Sequence, residues 1–367
     1  LSHVGSGLKF YTSIPEIPDD VIRRYVEGWK DVHERLDNHF KPEEKQLYLS
    51  EFQKFRKEHM KTVNYLVKEF ELKKNADQHA RASISKTGVI DVNKLHGYKF
   101  NEDLFKRVTT IPGGKNHGLI MFVDFSGSMQ NCIEDTINQL MILTMFCDKV
   151  KIPYEVYSFT STGMNYGDYD EVYDIETLHS PTKEKDLVLG YFRVRQYFSS
   201  EMRGRQWINA MSNMIGIRNA HEGYQQGYSL PNEDQLGSTP LNQCIIVSLS
   251  LIEMFQKRFG IQKVTSVFLT DGQSDSMSEI WKRQDKTLVK DFFTHWNTQI
   301  MIHDPVTKMD YSVDDRDDIT NVLLQIIRDR YGIDVVGFYI AHDRWSVKNV
   351  YSSLTDMSLI HGNWKEI

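Results

Sequence analysis

The sequence predicts an α/β fold with a doubly wound, mostly parallel, Rossmann-like sheet, preceded by a helical N-terminal region. A continuous apolar run at residues 119–123 is typical of a strand that is buried on both faces. From residue 118 onward, strand-like and helix-like segments alternate, which favours a parallel sheet with helices on both faces. Before residue 81, apolar residues recur at a period of about 3.6 residues, as expected of amphipathic helices.

The chain is expected to have three parts. Residues 1–80 form the helical N-terminal region, in which Asp19 can cap a first helix and Pro42 can open a second. Residues 81–117 form a connector that is rich in Ser, Thr and Gly and ends in a Pro-Gly-Gly loop. Residues 118–367 form the α/β domain.

Within the α/β domain, apolar patterning predicts the other strands and helices. Two stretches, 180–236 and 274–316, interrupt the alternation and are expected to be insertions. The second insertion has a hairpin pattern between 299–303 and 308–313. The predicted strands are 154–159, 172–175, 264–269 and 333–340, and the predicted helices are 132–148, 241–259 and one around 319–327.

Composition limits the classes of function. The chain of 367 residues has a formal net charge of −6, which does not favour a general nucleic-acid-binding protein. No apolar run approaches the roughly 18 to 20 residues that span a bilayer, so no membrane partner is expected. The three cysteines match no zinc motif and are predicted to be reduced core residues. We therefore expect a cytoplasmic location, in the host cytoplasm if a phage encodes the chain.

Three separated polar segments are expected to meet at one edge of the sheet. Asp124, Ser126 and Ser128 directly follow the first buried strand, Thr239 precedes a helix, and Asp271 follows a later strand. In an open parallel sheet, ligand sites form at the carboxyl ends of the strands. Two carboxylates and three hydroxyls are hard oxygen ligands, which suit Mg²⁺, Mn²⁺ or Ca²⁺ rather than Zn²⁺.

Mg²⁺ prefers octahedral coordination and usually keeps some of its waters. A site with few direct protein ligands therefore leaves a coordination position open. A carboxylate from a protein partner can fill that position, so the sequence predicts a metal site that binds an acidic partner.

The spacing of these residues resembles that of the von Willebrand factor A (VWA) family. The Asp-x-Ser-x-Ser motif of the family matches at Asp124, Ser126 and Ser128, its isolated Thr at Thr239, and its second Asp at Asp271. The resemblance implies an intact metal-ion-dependent adhesion site (MIDAS). It also implies that Ser126, Ser128 and Thr239 contact the metal directly. Asp124 and Asp271 would act mainly through bound water or through hydrogen bonds to the ligands.

A narrower resemblance concerns residues 81–129. The segment 87–91 with Leu95, the segment 105–107 and the box at 124–129 look like the cobaltochelatase T-subunit branch of VWA proteins. That branch works with MoxR-like AAA+ ATPases and also occurs in tailed phages. The resemblance implies such an ATPase as partner, in a chelatase-like or remodelling complex.

Rival functions remain open at this point. The alternative to the interaction module is a structural or adhesive component of a virion or surface assembly. A second alternative is a Mg²⁺-dependent, phosphatase-like hydrolase, although the Asp-x-Asp arrangement typical of such sites is missing after Asp124. The chain has no phosphate-binding P-loop and no His-Glu-x-x-His motif, so we do not expect it to be an enzyme by itself.

Residues next to the metal motifs are candidates for partner binding. Phe125, Met129 and Gly272 adjoin the predicted ligands. Arg193 and Arg195 belong to a stretch of alternating aromatic and basic residues, which occurs in protein interfaces and in single-stranded nucleic-acid platforms. The acidic chain favours a protein interface, and an ordinary insertion packed on the domain explains the stretch equally well.

Overall fold

The computed structural model describes most of the predicted elements. The predicted strand at 172–175 and the final segment beyond Trp345 lie outside the described residues. The structure describes residues 9–81, 83–90, 105–110, 116–161, 183–222, 229–275, 277, 279–284, 287–292, 299–313 and 319–340.

The secondary structure is mixed α/β. The helices are α1 (Asp19–Tyr25), α2 (Trp29–His39), α3 (Pro42–Arg81), α4 (Ile133–Val150), α5 (Arg205–Ala220), α6 (Leu241–Phe259) and α7 (Ile319–Tyr331). The strands are β1 (Lys9–Ser13), β2 (Val26–Glu27), β3 (Ser83–Ile90), β4 (Phe105–Thr110), β5 (His117–Asp124), β6 (Tyr154–Thr160), β7 (Arg193–Ser199), β8 (Lys263–Thr270), β9 (Glu279–Gln284), β10 (Thr287–Phe292), β11 (Gln299–Asp304), β12 (Met309–Val313) and β13 (Asp334–Tyr339).

A six-stranded sheet forms the centre of the fold, in the order β13-β8-β5-β6-β7-β2. Its neighbouring strands are parallel except for the antiparallel pair β6 and β7. Side chains of β5 alternate between two cores: Ile120 and Phe122 face one, and Met121 and Val123 face the other. Both faces of the sheet are therefore covered, which confirms the prediction of a mostly parallel, doubly covered sheet.

Different helices cover the two faces. Helices α1, α6 and α7 contribute to the core that contains Phe122, and α2, α3, α4 and α5 contribute to the core that contains Met121. Gly216 lets α5 approach the N-terminal helices closely. A Cβ atom at this position would lie 2.8 Å from the rings of Phe40 and Tyr48, closer than side chains tolerate.

The N-terminal region is part of the sheet rather than a purely helical unit. Strand β2 forms the outer edge of the six-stranded sheet by pairing with β7. Strand β1 pairs with β11 in a separate three-stranded sheet with β12. The predicted boundary at residue 80 separates β1 and β2 from the strands with which they pair. These pairings were not predicted, because strands of two and five residues leave little periodic signal.

The two predicted insertions differ in nature. The first, 180–236, supplies β7 and α5, so it belongs to the central sheet and to the helical layer upon it. The second, 274–316, forms the hairpins β9–β10 and β11–β12, and the latter confirms the predicted hairpin. Within the connector, β3 and β4 pair in antiparallel fashion.

The three cysteines, all of them among the described residues, are buried and form no disulfide with one another, as predicted for reduced core residues. Burial raises the pKa of Cys132 to about 11 and that of Cys147 to about 12, so both thiols stay protonated near neutral pH. In the part of the chain that the structure describes, no helix has the length and apolar character needed to cross a membrane.

Candidate metal centre

The first and third polar segments lie side by side because β5 and β8 are parallel neighbours. Val123 is paired with Leu269, so the residues that follow these strands leave the sheet at the same edge. There the Thr270 hydroxyl donates a hydrogen bond of 2.7 Å to Oδ2 of Asp124. The predicted convergence of Asp124 with the Thr-Asp-Gly segment is thus observed.

The chain turns sharply after β5. The Phe125 amide still donates to the Phe159 carbonyl at 3.1 Å, which continues the sheet by one residue. A short 3-10 helix, Gly127–Asn131, follows and is closed by a hydrogen bond of 3.1 Å from the Met129 amide to the Ser126 carbonyl. This turn leaves Ser128 exposed at the edge of the sheet, whereas Ser126 is buried.

The second segment is fastened to the first by its backbone. The Gly237 amide donates to the Phe125 carbonyl at 2.9 Å, and the Gly237 carbonyl accepts from the Gly127 amide at 2.7 Å. Two residues farther along, the Thr239 carbonyl accepts a hydrogen bond of 2.8 Å from the amide of Asp275, three residues after the Thr-Asp-Gly segment. All three segments are therefore joined at the carboxyl edge.

Three of the predicted ligands form a continuous row of oxygen atoms. The hydroxyls of Ser126 and Ser128 lie 3.0 Å apart, and the Ser128 hydroxyl donates to Oδ1 of Asp271 at 2.7 Å. Gly272 adjoins this row, and a Cβ atom there would make an ordinary van der Waals contact of 3.8 Å with the Ser128 hydroxyl. Thr239 reaches the same edge through the backbone contacts of its loop, and its side chain is largely buried.

Asp124 is a buried carboxylate that a nearby cation would stabilise. Its side chain is 0% exposed, and Oδ1 has no hydrogen-bond partner among the described residues. Burial raises the pKa of Asp124 to about 6, against the opposing effect of the hydrogen bond from Thr270 and of the neighbouring Ser126. A buried, unpaired carboxylate oxygen is costly unless a cation or a cation-bound water satisfies it, so the residues fit a hard metal ion.

The side-chain oxygens at the carboxyl edge of the sheet also determine which metal ions can bind there. Among the described residues, no group of three His, Cys, Asp or Glu side chains is placed to hold a metal. The edge offers two carboxylates together with neutral hydroxyls. Oxygen donors of this kind favour Mg²⁺, Mn²⁺ or Ca²⁺ over the softer transition metals.

Several residues proposed for partner binding have other roles in the structure. Phe125 and Met129 are buried, and Phe125 stacks on the Tyr197 ring at a centroid distance of 5.5 Å. Arg195 is also buried, with its Nε 3.3 Å from a carboxylate oxygen of Glu27. These three side chains belong to the core and are not offered to a partner, which corrects the prediction.

The other two partner candidates remain partly exposed. Gly272 lies beside Ser128 in the third segment, and Arg193 begins β7. Because β7 is antiparallel to β6, Arg193 pairs with Thr160 and lies at the same edge as the metal residues. Its guanidinium lies over the Tyr191 ring, 5.8 Å from the centroid.

Ser161 also lies at this edge, although the sequence pattern did not predict it. Its hydroxyl accepts a hydrogen bond of 2.9 Å from the Ser238 amide and lies 2.7 Å from the Ser238 hydroxyl. Ser161 follows β6, the strand beside β5, so its position directly after a predicted strand is a signal that could have identified it.

Comparison of the chain with protein-family models, with curated proteins and with solved structures finds no match. Proposals for the family, the metal ion and the partner therefore rest on the geometry of the carboxyl edge of the sheet and on the motif spacing.

A buried histidine near this edge predicts a pH dependence of stability. His221 is 3% exposed, neither ring nitrogen has a hydrogen-bond partner among the described residues, and burial lowers its pKa to about 4. Between pH 6.5 and 4 the unfolded chain binds this proton and the folded chain does not. Stability should therefore fall as the pH decreases through this range, by about 3 kcal/mol in total.

The measurement is urea unfolding from pH 7 to pH 4, in wild type and in His221→Gln. The variant should lose much of the acid-side slope. Part of the slope should remain, because burial also lowers the pKa of His33. Identical slopes in the two proteins would contradict the assignment to His221.

Proposed function

We propose that the chain is a VWA-type interaction module whose MIDAS holds Mg²⁺, or else Mn²⁺ or Ca²⁺, and captures an acidic side chain of a protein partner. The observation that carries the proposal is the meeting of three segments around Asp124, whose buried Oδ1 lacks a hydrogen-bond partner among the described residues. Beside it lies the row of oxygens from Ser126, Ser128 and Asp271.

The residues have distinct roles in this proposal. Ser126, Ser128 and Thr239 would hold the ion through neutral hydroxyl oxygens. Asp124 and Asp271 would act through water or hydrogen bonds, and Ser128 already donates to Asp271. Because the direct protein ligands are uncharged, the bound ion would keep enough positive charge to attract a carboxylate from a partner.

The proposed partner is a MoxR-like AAA+ ATPase in the cytoplasm. Support comes from the resemblance of residues 81–129 to the cobaltochelatase T-subunit branch. The chain has no P-loop of its own, so ATP hydrolysis would belong to the partner. The pair would act as a chelatase-like or remodelling complex.

Binding of Mg²⁺ should depend on the two serines of the first segment. Ser126→Ala or Ser128→Ala is expected to weaken Mg²⁺ binding by about tenfold or more, because each removes an oxygen from the row. Isothermal titration with MgCl₂ measures this effect. Ser50→Ala is the control, since its hydroxyl is exposed on α3, donates to the Leu47 carbonyl and lies outside the proposed ligand set. Equal affinities in all four proteins would contradict the site.

Partner capture is tested with a purified MoxR-like AAA+ ATPase from the same organism. Wild-type chain should retain the ATPase in Mg²⁺ and lose it in EDTA, and Ser128→Ala should lose it in both. Equal recovery in every case would contradict metal-bridged binding. Mg²⁺-dependent release of phosphate from p-nitrophenyl phosphate by the pure chain would contradict the non-enzymatic role.

A further inference from the structure

An ion pair with a buried carboxylate fixes the loop that leads to Thr239. The Asp234 carboxylate is 0% exposed and accepts hydrogen bonds of 3.0 Å from both Nε and Nη2 of Arg35. The Tyr197 hydroxyl adds a third hydrogen bond of 2.7 Å to Oδ1. Bidentate, charge-assisted contacts of this kind are strongly directional, so they define the position of Asp234.

Asp234 lies close to the metal residues along the chain. It ends a short 3-10 helix, and the chain then passes through Gly237 to Thr239. Gly237 is fixed by its two backbone hydrogen bonds to the first metal segment. The short loop between Asp234 and Thr239 is therefore held at both ends, by the ion pair on one side and by the metal segment on the other.

Tyr197 links the ion pair to the first metal segment as well. Its ring stacks on Phe125, which lies between Asp124 and Ser126, and its hydroxyl binds Asp234. Tyr197 thus contacts both Phe125, which lies between two proposed metal residues, and Asp234, which fixes the loop that carries Thr239.

The other partner in this network belongs to the N-terminal region. Arg35 lies on α2 and also contacts Glu27 of β2. The ring of His33, on the same helix, is hydrogen-bonded through Nε2 to the Tyr197 carbonyl at 2.7 Å. Helix α2 is therefore fastened both to β7 and to the loop that leads to Thr239.

We infer that Arg35 and Tyr197 are positioning residues for the metal site, which act through Asp234 and couple helix α2 to the loop that carries Thr239. This inference rests on the proposed metal-binding function. It gives the N-terminal region a role in the affinity of the site, since a shift of α2 moves the anchor of that loop.

The experiment compares Mg²⁺ affinity and melting temperature in Arg35→Ala, Tyr197→Phe and a matched control. The control is Arg330→Ala, because Arg330 also pairs with a carboxylate that is 0% exposed, and its Nε lies 3.0 Å from each oxygen of Asp304. That pair has no contact with the metal segments among the described residues. Isothermal titration with MgCl₂ and thermal unfolding in EDTA supply the two readouts.

Arg35→Ala should weaken Mg²⁺ binding by about tenfold, and Tyr197→Phe by a smaller factor, because the latter removes only the hydroxyl and keeps the stack. Arg330→Ala should lower the melting temperature and leave Mg²⁺ affinity unchanged. If Arg35→Ala does not fold, Tyr197→Phe decides the question. Unchanged affinity in the Arg35 and Tyr197 variants, or an equal loss in the control, would overturn the inference.

The failure of the inference can be distinguished from failure of the proposed function. If Asp124→Asn leaves Mg²⁺ affinity unchanged, the metal site itself is refuted. If Asp124→Asn abolishes binding while Tyr197→Phe and Arg35→Ala bind like wild type, only the positioning role is refuted.

Discussion

Replacement of Asp124 by asparagine is expected to lower Mg²⁺ affinity by about tenfold or more and, in EDTA, to stabilise the chain. In the absence of metal, the buried carboxylate of Asp124 has one oxygen without a hydrogen-bond partner among the described residues. Burial raises its pKa from 3.8 to about 6, so its ionisation near neutral pH costs about 3 kcal/mol. Asparagine is uncharged, has the same shape, and keeps an oxygen that accepts from Thr270.

The sign of this effect depends on pH. The folded-state pKa of Asp124 lies above the unfolded value, so the ionisation cost is present above about pH 6 and disappears as the pH falls towards 3.8. The stability difference between Asp124→Asn and wild type in EDTA should therefore be largest near pH 8 and smaller near pH 4.5. Urea unfolding at the two pH values measures it.

Asp148→Asn is the control for this experiment. Asp148 is half exposed and lies at the C-terminal end of α4, at the opposite edge of the sheet. Its replacement should change neither the stability in EDTA nor the affinity for Mg²⁺. A metal-free Asp124→Asn protein that is less stable than wild type near pH 8 would contradict the argument, because it would mean that the protein already satisfies the carboxylate.

Addition of Mg²⁺ should narrow the difference in stability between Asp124→Asn and wild type. A ligand present at 100 times its Kd stabilises a folded protein by about 2.7 kcal/mol. At that concentration wild type should gain this stabilisation, whereas a variant that binds tenfold more weakly should gain only about 1.4 kcal/mol. The Asp124 carboxylate then destabilises the metal-free protein and contributes to metal binding. This is expected of a residue that serves binding rather than folding.

Local sequence patterns were sufficient for the elements that are long or strongly apolar. Helix α6 occupies the predicted residues 241–259, and the apolar run at 119–123 lies within β5. The central strand is apolar on both faces because each face meets a separate core. Such elements are specified by their own side chains, so the sequence alone identifies them.

Strand β7 shows why other elements escaped prediction. Its aromatic and basic residues suggest an interface, yet the strand is buried next to β6. Arg195 is tolerated there because Glu27, far away in the sequence, lies 3.3 Å from its guanidinium. A pairing between residues so distant in sequence leaves no local pattern, and the same is true of Arg35 with Asp234.

The sheet topology and the motif spacing were sufficient to predict which residues lie at the candidate site. Parallel neighbours place Asp124 and Asp271 at one edge, and motif spacing adds Ser126, Ser128 and Thr239. The orientation of Phe125 was not predictable, since the chain leaves the sheet there and enters a 3-10 helix. Its stack on Tyr197 depends on that turn.

The aromatic layer beneath the metal edge predicts the largest loss of stability. Phe122 is 0% exposed and stacks on Tyr157 of β6 and on Phe268 of β8, with centroid distances of 5.5 and 4.9 Å. Phe122→Ala should lower the free energy of unfolding by about 3 to 5 kcal/mol, because the ring is lost and a cavity is left. The neighbouring rings cannot close this cavity, since each is held by its own strand in the register of the sheet.

Phe122→Leu is the matched variant, because it keeps an apolar side chain that fills most of the space and should lose markedly less stability. Urea unfolding of the three proteins in EDTA compares them without any contribution from metal. Phe122 precedes Asp124 by two residues on the same strand, so loss of packing beneath the site should also weaken Mg²⁺ binding in Phe122→Ala. A loss below about 1 kcal/mol would mean that the layer closes around the missing ring and that it does not hold the strand ends in place.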